Sequence, residues 1–181
     1  MPGGGLGSLQ KSVNQRTNHV YLGPTIPRSL LISWRDGVGN KEGGEMSERL
    51  FALLIHDRRE PFDDLRRTLK DLSIETYSVE TCQEAKTLIS QCRPQIIFTE
   101  NSLPDGSWVS IQEMAEEAAV PLSVIVVGKI PDTRHYLSVM ERGAFDFVAP
   151  PFEHKPLSCV VQSAAKDVHR RREASAQRAF A

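Results

Sequence analysis

From residue 50 onward the chain alternates short apolar runs with stretches of helical period, and few folds accept that rhythm. Residues 50–55 form a continuous apolar run ending in His56-Asp57, as suits a strand buried on both faces. Pro61 fits a first helical turn, and Phe62, Leu65, Leu69 and Leu72 follow on one face. Residues 74–79 alternate like a more exposed strand. Thr81-Cys82-Gln83-Glu84 is a capping box opening a helix with Cys82, Ala85, Leu88, Ile89 and Cys92 inward, and Pro94 breaks it. Residues 95–100 make a third strand, followed by a turn over residues 101–106 and a third helix marked by Trp108, Ile111, Ala115 and Ala118. A fourth strand covers residues 124–127 and ends at Gly128. Asp132 caps a helix carrying Tyr136, Val139 and Met140, which Gly143 stops. A short fifth strand spans residues 144–149 before Pro150-Pro151, and the last helix buries Leu157, Val160, Val161, Ala164 and Val168.

Five strands alternating with five helices predict an α/β fold with a parallel sheet covered on both faces. Right-handed crossovers make a doubly wound sheet the simplest arrangement. Ligands of such sheets bind beyond the carboxyl ends of the strands. His56-Asp57 and Glu100 end the first and third strands, so acidic side chains stand where this architecture puts a site.

The stretch ahead of this pattern is different. Nine of the 12 glycines precede position 46, and no apolar period is sustained there. Its few apolar residues cannot offset the entropy of ordering it, so residues 1–46 are expected to be disordered. Alternatively, Lys41-Glu42 can be encoded as a ribosome-binding sequence, making Met46 the translation start and the preceding residues a spurious extension. The expected division is residues 1–46, a domain over 47–170, and a basic helix end over 171–181.

Charge narrows the function classes. A net charge of −1 gives no global field for nucleic acid or membranes. No apolar run approaches the ~20 residues of a membrane span, and the N-terminus lacks a signal-peptide core. Cys82, Cys92 and Cys159 match no metal spacing and read as reduced thiols, so a cytoplasmic protein is expected. Lys166, Arg170, Arg171, Arg172 and Arg178 stand against Asp167 and Glu173 in the tail. Cations at a helix C-terminus explain them without a nucleic-acid partner.

Three local matches make residues 50–168 resemble a receiver domain of two-component response regulators, of the CheY-like superfamily. One is the apolar strand ending in Ile55-His56-Asp57. The second is Glu100-Asn101-Ser102-Leu103-Pro104-Asp105-Gly106, similar to the phosphoacceptor loop with its proline four positions on. The most specific is Gly143 through Phe152, similar to the closing strand and cis-proline turn, which implies a cis bond at Pro150–Pro151. The resemblance implies a flavodoxin-like (βα)5 sheet of order 2-1-3-4-5. It also implies contacts with protein partners through the fourth helix, fifth strand and fifth helix, with a homodimer left open.

The functional positions depart from the family pattern. Glu100 occupies the place of the acceptor aspartate, and His56-Asp57 that of an acidic pair, leaving one acid. Gly128 stands for the hydroxyl residue, Pro150 for the lysine, and Phe147 for the switch aromatic without its phenol. In-line phosphoryl transfer depends on positioning and charge neutralisation. A carboxylate displaced by ~1 Å can cost about a hundredfold. The expectation is a degenerate pseudo-receiver: a stand-alone module without phosphotransfer, with Glu100 as a fixed negative charge and no catalytic residue. No metal is expected, with Asp57 and Glu100 the ligands if Mg²⁺ binds. Two alternatives stand: a phosphotransfer-competent regulator using Glu100 and Mg²⁺, and a nucleic-acid-associated protein using the basic tail.

Ordinary structural roles weigh beside these. His56 reads as a hydrogen-bonded rim residue, Asp57 as an acceptor for loop backbone, Arg58 and Arg59 as solvated with a pairing of one to Glu100 as the alternative, and Trp108 as an anchored core or rim aromatic. Phe147 is expected to lie inward against the fourth helix near Tyr136 or Met140, since Gly128 has no side chain to be drawn in.

Overall fold

The computed structural model describes residues 50–179, without the side chain of Ala179. The expectations for residues 1–46 lie outside the described residues. The elements are β1 (Phe51–Ile55), α1 (Phe62–Asp71), β2 (Glu75–Val79), α2 (Cys82–Cys92), β3 (Ile96–Glu100), α3 (Trp108–Glu116), β4 (Ser123–Val127), α4 (Thr133–Glu141), β5 (Asp146–Val148) and α5 (His154–Ala179). The sheet is parallel throughout, in the order β2-β1-β3-β4-β5. This is the doubly wound sheet that the alternation predicts, in the flavodoxin-like order that the resemblance implies.

Burial follows from position in the sheet. Every residue of β1, β3 and β4 is buried, because helices cover both faces of the central strands. The edge strands β2 and β5 are only partly covered. Side chains alternate between two cores. Leu53, Ile55, Ile97 and Val124 meet Ala85, Leu88 and Ile111 on one face. Ala52, Leu54, Phe98 and Ile125 meet Phe62, Leu65, Leu157 and Val161 on the other. Full burial of a side chain such as Phe62 contributes about 1.5–3 kcal/mol.

Local signals acted largely as expected. The Thr81 side chain accepts from the Glu84 N–H at 3.2 Å, while the Glu84 carboxylate reaches the N–H of Glu80, one residue ahead of the cap. Asp132 caps α4 by accepting from the N–H groups of Arg134 and His135. The loop after β3 is more ordered than a turn: Ser102–Leu103 and Gly106–Ser107 pair as an antiparallel hairpin.

Two details differ from the sequence expectation. The inner face of α4 is not Tyr136, Val139 and Met140; only Val139 is buried and Tyr136 is 39% exposed. Val139 is the one buried residue of the helix, and His135 joins it against Phe147 of the edge strand. The fifth strand shortens to three residues, Asp146–Val148, which hold ladder register with β4; Phe145 adds a single N–H bond to the Val124 carbonyl at 2.7 Å. The boundary at 170/171 falls inside α5, which is continuous. Its end is tied to the domain: Arg171 donates to Asp167, the Leu122 carbonyl and Ser123. Arg172 donates to the carbonyls of Pro121, Arg93 and Pro94.

Candidate functional site

An open cleft of ≈ 480 Å³ lies beyond the carboxyl ends of the strands. Of the residues singled out in the sequence, Asp57, Glu100, Gly128 and Phe147 line it together. His56, Pro150 and Pro151 are not among its lining residues. The parallel sheet makes this convergence: β1, β3 and β4 end side by side and release their next residues at one edge.

Glu100 is only 8% exposed, and its Oε2 is buried without a hydrogen-bond partner. Asp57, by contrast, is exposed. Its expected role as an acceptor for loop backbone has no described hydrogen bond to support it. His56 is buried behind the cleft, with its ring stacked on Phe62 at 4.3 Å. Its Nδ1–H donates to the Arg58 carbonyl at 2.7 Å, which leaves Nε2 as the lone-pair nitrogen, buried and unpartnered. Burial lowers the His56 pKa, outweighing the raising effects of the Arg58 carbonyl and the Glu100 charge. Neutral imidazole is therefore the form this position favours.

The aromatic position is resolved by contact. Phe147 is half-buried beside Trp108, Val126, Val139 and Ala144. His135 meets its ring edge-on at 5.2 Å and 82°. The neighbours on α4 are thus His135 and Val139 rather than Tyr136 or Met140, because this face of the helix points at β5. A Cβ added at Gly128 would lie 2.2 Å from Phe147 Cζ, so the ring fills the volume a side chain there would need. The Gly128 N–H donates to the Val148 carbonyl at 2.8 Å, tying the two strand ends together.

Asp105 does something sequence reasoning missed. Its carboxylate accepts from the N–H groups of Cys82 at 2.7 Å and Gln83 at 3.0 Å, so the loop after β3 caps α2. Burial works against its charge, yet those backbone donors hold its pKa below the ordinary value. Burial first, then the charge and hydrogen bond of Asp105, push the Cys82 thiol up to about 11, far from a reactive thiolate. Gly106 permits this approach, since an added Cβ would stand 2.9 Å from Cys82 Sγ. An aspartate just before a glycine in a turn was the available signal, but its target lies 23 residues away.

The Pro150–Pro151 peptide is cis, as the resemblance implies. A second cis bond, Glu60–Pro61, had no sequence signal of its own. Trp108, Cys82 and Cys92 are core residues, whereas Cys159 is exposed. Arg58 and Arg59 are exposed, and neither pairs with Glu100.

No family model matches the sequence. The chain is similar to the response regulator protein PilR of Pseudomonas aeruginosa, 26% identical over 117 residues, covering 64% of this chain and 26% of that protein. It is equally similar to the KDP operon transcriptional regulatory protein KdpE of Escherichia coli K12, 26% identical over 102 residues, covering 56% and 44%. The match therefore spans less than half the length of either relative. Among solved structures, the signal receiver domain assigned to a Luxo repressor protein of Vibrio parahaemolyticus superposes with a TM-score of 0.59 at 25% identity, covering 67% of this chain and 93% of that one. Relatives and structures together support a response-regulator receiver domain, of the CheY-like kind used in two-component signalling, over the described residues. Among the described residues no helix is long and apolar enough to cross a membrane.

Proposed function

We propose that this domain is a pseudo-receiver: a cytoplasmic signalling module that binds partner proteins without accepting phosphate and without enzymatic turnover. The observation that carries this reading is the Phe147 ring lying in the volume above Gly128. A switch that draws a side chain at position 128 toward a phosphoryl group has nothing to move here. The ring already occupies the inward place. A ligand shifts an equilibrium only by its differential affinity for two states, and phosphate finds no second state to favour.

Glu100 supplies a standing negative charge at the acceptor position, and Pro150 offers no cation to a phosphoryl group. The partner surface is the face of α4, β5 and α5, where Tyr136 and Leu137 are 39% and 54% exposed. The nucleic-acid alternative is weakened because Arg171 and Arg172 are engaged with the domain's own carbonyls.

The test is direct. Treatment with acetyl phosphate and Mg²⁺ is expected to leave the intact mass unchanged. Affinity for a partner isolated from the native host is expected to change less than about tenfold (~1.4 kcal/mol) on adding beryllofluoride with Mg²⁺. An acyl phosphate on Glu100, or a larger change in affinity, would restore the phosphotransfer alternative.

A further inference from the structure

We propose that the cleft is a site for a small organic ammonium ion, its nitrogen against Glu100 and its apolar body along Phe147, Leu103 and Ile130. Glu100 is more than nine-tenths buried, is one of the residues lining the cleft, and accepts no described hydrogen bond through its side chain. A buried acceptor left without a partner costs about 1–3 kcal/mol, and more if charged. No lysine or arginine among the described residues forms an ion pair with it. The deficit is therefore one of donors, which selects a donor-rich cation over an anion.

The rest of the cleft agrees. The Phe147 ring lines the same space as Glu100 and supplies the aromatic surface that an organic cation would lie along. Asp57 and Asp132 add acid at the rim. Arg58 and Lys129 also reach the rim, and both are exposed. Glu100 is the one buried charged residue of the lining, while the rim carries both signs, so the deep end of the cleft has room for a single ammonium group. Among the described residues no three His, Cys, Asp or Glu side chains are grouped to hold a metal ion, which favours an organic cation. The inference does not rest on the phosphate-independent reading, because ligand binding and phosphoryl labelling are read in separate assays.

The experiment is a titration followed by amide NMR shifts, with 2-phenylethylamine as probe and 2-phenylethanol as its neutral counterpart. Saturable shifts at Gly128 and Phe147 are expected with the amine, at least about tenfold tighter than with the alcohol. Glu100→Gln, checked for a native spectrum, is expected to remove that difference. If this variant fails to fold, Phe147→Leu serves instead and is expected to weaken both probes, the amine severalfold more than the alcohol; an equal loss for the two would overturn the cation contact. A parallel titration with Nα-acetyl-lysine methylamide distinguishes the source. Tighter binding of the lysine derivative supports the same site, with a partner's lysine supplying the ammonium group. Equal binding of amine and alcohol, undiminished amine binding by Glu100→Gln, or no saturation with either amine would overturn the proposal.

Discussion

Gly128 and Phe147 occupy one volume between them: a Cβ on the glycine would stand 2.2 Å from Cζ of the ring and 2.8 Å from Cε2. Real Cβ atoms never approach carbon so closely, so the inward ring requires glycine at 128. Gly128→Ala is expected to destabilise the domain by about 1–3 kcal/mol, or to expel the ring at a similar cost. Phe147→Ala removes the obstacle. Urea denaturation of the double variant should therefore show a loss smaller than the sum of the singles by about 1 kcal/mol. Strict additivity would mean that the two positions do not compete.

His56 predicts a dependence on pH. Its folded pKa lies below the ordinary 6.5, chiefly through burial, so the unfolded chain binds more protons between those two values. The associated stability is fully present above about pH 6.5 and is lost as pH falls through the lowered folded value. Asp146, whose pKa burial raises, works in the opposite sense. The informative quantity is thus the difference between wild type and His56→Asn. Thermal midpoints at pH 7.5 and 5.5 should draw closer in the variant; an unchanged gap would assign the effect elsewhere.

Restoring the shorter acid should not restore chemistry. Glu100→Asp, treated with acetyl phosphate and Mg²⁺, is expected to stay unlabelled by mass spectrometry. Pro150 still supplies no cation, and Gly128 no hydroxyl. Robust labelling of this single variant would show that acceptor geometry alone had been limiting.

Arg172 predicts a structural role for the end of α5. Its guanidinium donates to Pro121 at 2.9 Å, Arg93 at 3.1 Å and Pro94 at 2.9 Å, closing the lower edge of the sheet. Arg172→Ala is expected to cost about 1–3 kcal/mol and to raise hydrogen exchange over residues 171–179. Arg172→Lys should recover little of it, because an ammonium group cannot reproduce the planar fork. Full rescue by lysine would reduce the contact to simple charge.

Most of the fold was legible because its signals are local. Continuous apolar runs marked the central strands, and Thr81 and Asp132 announced two helix starts. The acidic ends of β1 and β3 located the site once a parallel sheet was assumed. The face of α4 was not legible, since a helix burying one residue, Val139, has no period to read. The hairpin after β3 was missed because each of its strands is only two residues long.

What the sequence by itself determined was the order of elements, the sheet they must form, and which residue types reach its carboxyl edge. Periodicity and caps act within a few residues, so one dimension carries them. Only the tertiary structure decided that Phe147 lies over Gly128, that Asp105 caps a helix begun 23 residues earlier, and that Arg172 closes on carbonyls 78 and 79 residues away. It alone left the Glu100 carboxylate buried without a donor. These are matters of distance and excluded volume between remote segments, settled only when the packed sheet brings them together.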